Sequence, residues 1–274
     1  MQKPRGIGAE DRDGGPEDAP HSPAGTWDRS TAPPEGLRNK RFYQVVARRI
    51  AQMIEANVGD PTWRLPAERD LAEELQVSRP SVREAVIALE MRGIVEVRGR
   101  AGIVLLPTRP SAISFEAMNT DVGPGPWELL QARSAVESSA ASMAAQRTTS
   151  YDLMQLEECI ARMEAESRSV AEVEKEDRAF HLAIANMTGN AIILSMVEAL
   201  WAQSEASPMW KKLKQHIHGE TIRPLWIGDH HGILAALRRR NSEAAYKAMA
   251  RHLSNIAEEL MQRADLYGGP VEGQ

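Results

Sequence analysis

Residues 65–97 read LPAERDLAEELQVSRPSVREAVIALEMRGIVEV, and two helices joined by a tight turn are legible in them. LPAERDLAEEL predicts a short helix with Leu71 and Leu75 on its inner face. Ser78 suits the N-cap of the next helix, RPSVREAVIALEMRG, where Pro80 is tolerated because first-turn N–H groups have no helical partner. Val82, Val86 and Leu89 form the buried stripe of that helix with Ala85 beside them, and Gly93 suits its C-terminal cap. Arg79 and Arg83, one turn apart, face away from the stripe.

Upstream, FYQVVARRIAQMIEANV sets Tyr43, Val46, Ala47, Ile50, Met53 and Ile54 at three- and four-residue steps, an amphipathic helix ended by Gly59, Asp60 and Pro61. Downstream, IVEV and GIVLL are two short β-runs around RGRA, a hairpin. Three helices and a hairpin within residues 40–107 follow the order of a winged helix-turn-helix. Residues 108–126 read as a linker. Beyond Trp127 six segments with helical periodicity and short connections predict an antiparallel helical bundle over 127–264, with a short tail at 265–274. The fold class is therefore mainly α, a winged helix-turn-helix followed by a helical bundle. Residues 1–39, with six prolines, six glycines and no apolar period, read as a disordered tail.

The 274 residues carry a formal net charge of −5, which taken whole argues against nucleic acid. By segment the balance differs: −2 for residues 1–39, +2 for 40–107 and −5 for 108–274. Within the basic segment Arg69, Arg79 and Arg83 lie on the two central helices, while Arg98 and Arg100 lie at the hairpin tip. That clustering is the footprint expected for a phosphate backbone; the alternative is a solvated face of pairs such as Arg69–Glu73. One cysteine excludes a disulfide scaffold and points to a reducing, cytoplasmic setting. No apolar run approaches the ~18 residues of a membrane span.

The stretch 65–97 resembles the DNA-binding domain of the GntR superfamily. The resemblance implies that Arg69, Arg79 and Arg83 contact base edges and phosphates in the major groove, with Arg79 and Arg83 as the specificity candidates. It implies that Ser78 and Ser81 meet phosphates at the helix N-terminus, and that Gly99 and Arg100 make wing contacts. Two features depart from the family. Gln76 stands where glycine is frequent, and Gly99 comes one place earlier than the usual wing glycine.

Six of the seven histidines lie in the helical segment. Asp177 and His181 are four apart on one helix face. His230 and His252 lie eleven residues either side of Asn241, so antiparallel helices turning there return them to one level. One carboxylate and three imidazoles can then converge on a divalent cation such as Zn²⁺, Ni²⁺ or Mn²⁺. Equally, the histidines can bond carbonyls or carboxylates within the bundle. The segment resembles the FCD effector-binding module of FadR-type regulators, which implies a metal held by Asp177, His181, His230 and His252. His216, His218 and His231 match no ligand position, and Cys159, without a partner cysteine, reads as structural.

GPGPWELLQARSAVE, LWAQSEASPMWKKLKQHI and TIRPLWIGDHHGILAAL further resemble bacterial hexuronate-operon regulators. This implies a homodimeric repressor on a palindromic operator in double-stranded DNA, released when a small carboxylate effector (a hexuronate or ketouronate) binds at the metal. Arg133, on the inner side of the bundle's first helix, is the candidate clamp for that carboxylate; a salt bridge to Glu137 is its other reading. Trp201, Trp210 and Lys211 are candidates to line the pocket, with core packing as the other reading for both tryptophans. The same regulator with another organic acid, or without metal, stays open. A metallo-hydrolase with Glu176 as base is the rival from another class. No HExxH pair or nucleophile motif accompanies Glu176, which lies about 100° round the helix from Asp177, so the chain is not read as an enzyme.

Overall fold

The computed structural model describes residues 41–57, 59–60, 62–98, 102–106, 121–165, 169–215 and 223–266. The predicted tail at 1–39, the predicted tail at 265–274 from residue 267 onward, the wing tip with Gly99 and Arg100, and residues 108–120 of the predicted linker lie outside them; residues 265–266 fall within the last helix.

In the head, α1 (Phe42–Asn57), α2 (Glu68–Leu75) and α3 (Arg79–Met91) precede strands β1 (Val95–Arg98) and β2 (Gly102–Leu105). The strands pair antiparallel from Val95↔Leu105 to Arg98↔Gly102. Their core is the one the apolar spacing predicts: Ile50, Leu71, Val82, Val86 and Leu89 are buried together. The turn between α2 and α3 carries Gln76 at φ 52°, where a side chain is strained and glycine is not. Ser78 caps α3, accepting from Ser81 N at 3.3 Å, and Gly93 at φ 66° ends it.

Among the described residues the second region contains seven helices rather than six: α4 (Pro126–Ala145), α5 (Ser150–Glu164), α6 (Val170–Met187), α7 (Ala191–Ala206), α8 (Pro208–Gln215), α9 (Arg223–Arg238) and α10 (Ser242–Leu266). The additional helix, α8, is a two-turn piece separated from α7 by Ser207 alone. Capping sets several boundaries. Thr149 and Asp152 bond reciprocally at the start of α5, and Asn190 accepts from Ile192 N at 3.0 Å at the start of α7. Arg240 at φ 51° and Asn241, which accepts from Ala244 N at 2.9 Å, make the tight turn that sends α10 back along α9. Among the described residues no helix is long and apolar enough to cross a membrane.

Candidate nucleic-acid interface and metal centre

The arginines of the head are not equivalent. Arg69 is exposed, its Nε 3.4 Å from Asp70, and Ser78 is exposed at the N-terminus of α3. Arg79 is half-buried and Ser81 buried, with Ser78 Oγ and Ser81 Oγ 2.8 Å apart. Arg83 is only 5% exposed. Its Nη2 lies 2.5 Å from Glu68 Oε2 in the first turn of α2. Two exposed arginines side by side were the expectation from spacing, yet Arg83 is folded onto a carboxylate that sequence periodicity places merely at a helix start. Arg98 is exposed and pairs with Glu96 at 2.7 Å.

The face of α3 opposite its head core rests on the helical region. Ile87 and Ala88 share an apolar cluster with Trp127 and Leu130 of α4. Glu84 Oε1 accepts from Trp127 N at 2.9 Å and from Glu128 N at 3.2 Å. The cap of α4 thus comes from α3, because the residue at the cap position, Gly125, has no side chain; a Cβ there would overlap the Glu84 carboxylate. Arg41 joins the contact through Asp121 at 3.1 Å and Glu128 at 2.6 Å, and Lys212 of α8 lies 3.4 Å from Glu90. Sequence reasoning had no signal for Glu84, since the partner amides lie 43 and 44 residues away.

Burial pushes the Glu84 carboxyl up to about 7 despite those two amide donors. A carboxyl displaced upward contributes its stabilisation in full below its ordinary value of 4.5 and loses it as pH rises through about 7. Going from about pH 5 to about pH 8 is therefore expected to cost the wild type up to ~3 kcal/mol more than it costs Glu84→Gln. Urea unfolding of both proteins at the two pH values checks this, and parallel pH dependences would contradict it.

Within the bundle Asp177, His181, His230 and His252 converge as the spacing predicts. All four are buried, and one ligand atom from each lies within 4.8 Å of the others. Helix α6 supplies the first two, α9 and α10 the others. His230 Nε2 is 2.8 Å from Asp177 Oδ1, so the carboxylate-bonding alternative holds for that ring. It does not account for the remainder: His181 Nε2 and His252 Nε2 are buried without a hydrogen-bond partner, while His252 Nδ1 turns to Asp229 Oδ2 at 3.6 Å. Buried nitrogens left over around one carboxylate are the donor set a divalent cation takes up, so the residues fit the implied metal. Burial beside His230 lowers His252 to about 4, which keeps it neutral. Burial opposes charge on His181 as well, yet Glu137 and Asp177 overcome it and raise that ring to about 9. Asp177, buried but bonded to His181 and His230, stays well below its usual range.

Arg133 lies buried beside this cluster. Its Nε donates to Glu137 at 2.7 Å and its guanidinium stacks 3.8 Å above the Trp201 ring, while Nη2 is buried without a partner. The salt-bridge reading of Arg133 thus holds along one edge, and Nη2 is a buried donor without a partner on the other. Trp201 also leans on His181, with ring centroids 5.5 Å apart. Trp210 packs against the apolar core and Lys211 is exposed. Glu176 faces Arg162 at 2.7 Å instead of the cluster, which removes the base the hydrolase reading needs. Cys159 is buried, His231 pairs with Glu164 at the surface, and His216 and His218 lie outside the described residues.

Two family matches divide the chain along the same lines. Residues 42–105 match the bacterial regulatory proteins of the gntR family, and residues 128–255 match the FCD domain. The Uxu operon transcriptional regulator of Escherichia coli K12 is 39% identical over 227 residues, covering 81% of this chain and 88% of that protein. The Exu regulon transcriptional regulator of the same strain is 39% identical over 217 residues, covering 79% and 83%. The Uxu operon regulator of Haemophilus influenzae is 37% identical over 234 residues, covering 85% of each chain.

Proposed function

The chain belongs to the GntR family of DNA-binding transcription regulators, in its FCD branch, and on that premise we propose that it is a homodimeric repressor released by a hexuronate or ketouronate. Family membership makes it a regulator and not an enzyme. Arg69, Ser78 and Arg79 meet the operator, with Gly99 and Arg100 on the wing; Ser81, buried, acts by holding the Ser78 hydroxyl, and Arg83 acts from its seat on Glu68. Two heads related by a two-fold axis read two related half-sites.

A single observation carries the effector reading: the Asp177, His181, His230 and His252 cluster, with His181 Nε2 and His252 Nε2 buried and without a hydrogen-bond partner, adjoins Arg133, whose Nη2 is likewise buried without one. Asp177, His181, His230 and His252 would hold Zn²⁺, Ni²⁺ or Mn²⁺, and a bound cation supplies a Lewis-acid anchor for anionic oxygens. Arg133 directs N–H donors at a carboxylate, and Trp201 holds the guanidinium flat. The resemblance to regulators of the uxu operon and exu regulon favours a sugar acid. Release requires the effector to bind the DNA-competent and DNA-incompetent states with different affinity.

The test is a gel shift of the full chain on its promoter DNA, repeated with glucuronate, galacturonate, fructuronate and tagaturonate. At least one is expected to weaken operator binding by about 5- to 150-fold. Specific binding that none of the four alters would overturn the effector assignment. In the same assay Arg79→Ala is expected to lose roughly 10- to 100-fold of operator affinity, the worth of a bidentate guanine contact. Unchanged affinity would place the reading edge elsewhere.

A further inference from the structure

Glu137 is absent from the ligand set that spacing suggests, yet it touches both the ligand candidate His181 and the clamp candidate Arg133. It is 2% exposed and lies on α4 one turn beyond Arg133. Each carboxylate oxygen has one partner: Oε1 accepts from Arg133 Nε at 2.7 Å, and Oε2 bonds His181 Nδ1 in a very short contact. We propose that Glu137 is a positioning residue that ties the metal ligand His181 and the anion clamp Arg133 into one unit, touching neither metal nor effector. This rests on the metal-and-carboxylate reading above.

To ligate a cation His181 must give up one proton, and the neutral imidazole then carries its remaining proton on one nitrogen and its lone pair on the other. A carboxylate acceptor at Nδ1 keeps the proton there, so the lone pair resides on Nε2. That is the nitrogen 3.5 Å from Asp177 Oδ1, inside the cluster, with no hydrogen-bond partner. On the other side, the same carboxylate and the Trp201 ring together fix the Nε edge and the face of the guanidinium, so that Nη2 is the donor left over. Losing a carboxylate behind a ligating histidine typically weakens metal binding 10- to 100-fold.

The experiment titrates the metal-free full chain with Zn²⁺ alone, and separately with Mn²⁺ alone, by calorimetry. Wild type, Arg133→Met, Glu137→Gln and the Arg133→Met/Glu137→Gln double variant are compared. The double variant removes both charges, so a buried arginine stripped of its counter-ion cannot account for its behaviour. Glu137→Gln and the double variant are expected to bind metal roughly 10- to 100-fold more weakly than wild type. Arg133→Met, which leaves Glu137 on His181, stays within a few-fold. A downfield His181 Nδ1–H resonance, present in Zn²⁺-loaded wild type and Arg133→Met, is absent from both Gln variants; a merely structural role would not move that signal selectively. Wild-type metal affinity in the double variant, or the resonance persisting there, would overturn this assignment and leave the metal reading standing. Failure of wild type to bind either metal would overturn the metal reading and this inference with it.

Discussion

Arg83→Ala is expected to destabilise the head by about 3–5 kcal/mol and to abolish operator binding. The substitution removes the cation 2.5 Å from a Glu68 carboxylate that is itself 9% exposed, and breaking a buried ion pair by removing one partner is among the costliest single changes. Urea unfolding followed by circular dichroism measures the first effect and a gel shift the second. Because an unfolded head binds nothing, the informative companion is Glu68→Leu with Arg83→Met, which replaces the pair by apolar groups of similar size. Such replacements are often neutral or stabilising, so the double variant should regain the fold and still fail on DNA. Operator affinity retained in the double variant would show that Arg83 serves only the fold.

Phe180→Ala should be nearly as costly to the bundle. Phe180 is fully buried and stands edge-on to His230, with ring centroids 4.7 Å apart, and to His181 at 5.9 Å. Truncating a buried phenylalanine costs about 3–5 kcal/mol through lost transfer energy and the cavity left behind. Here the cavity opens against two ligand candidates, so the rings gain freedom they must lose again to converge. Thermal unfolding with and without Zn²⁺ separates the two losses: the variant melts lower throughout, and the added stability from metal shrinks relative to wild type. The same metal-induced gain in both proteins would mean that Phe180 packs the core without shaping the cluster.

What was legible in the sequence followed short periodicities. The Val82/Val86/Leu89 stripe and the Ser78 cap are local signals, and both stand in the structure. The metal candidates were readable because Asp177 and His181 share a helix face, and because a tight turn at Asn241 makes His230 and His252 equidistant from it. Helix α8 escaped because one intervening residue, Ser207, leaves little trace in a pattern that stays helical on both sides. Glu137 was visible as an i+4 partner of Arg133, but its bond to His181 spans 44 residues and has no periodic signature. Burial of Arg83 was equally hidden. A charged residue on the polar side of an amphipathic helix reads as exposed unless the carboxylate opposite it is known in advance.

The junction at Glu84 bears on how such a regulator can diversify. One face of α3 is occupied by the head core through Val82, Val86 and Leu89, and the opposite face by the helical region through Glu84, Ile87 and Ala88. Only a narrow edge, Ser78, Arg79 and Pro80 with Arg83 behind them, is left to be rewritten for a new DNA sequence. On the proposed function, substitutions at 84, 87 or 88 are expected to alter the response to effector before they alter the choice of operator. Lineages adopting new operators would on that reading accumulate their changes at that edge and on the wing, leaving the contact between α3 and the helical region unchanged.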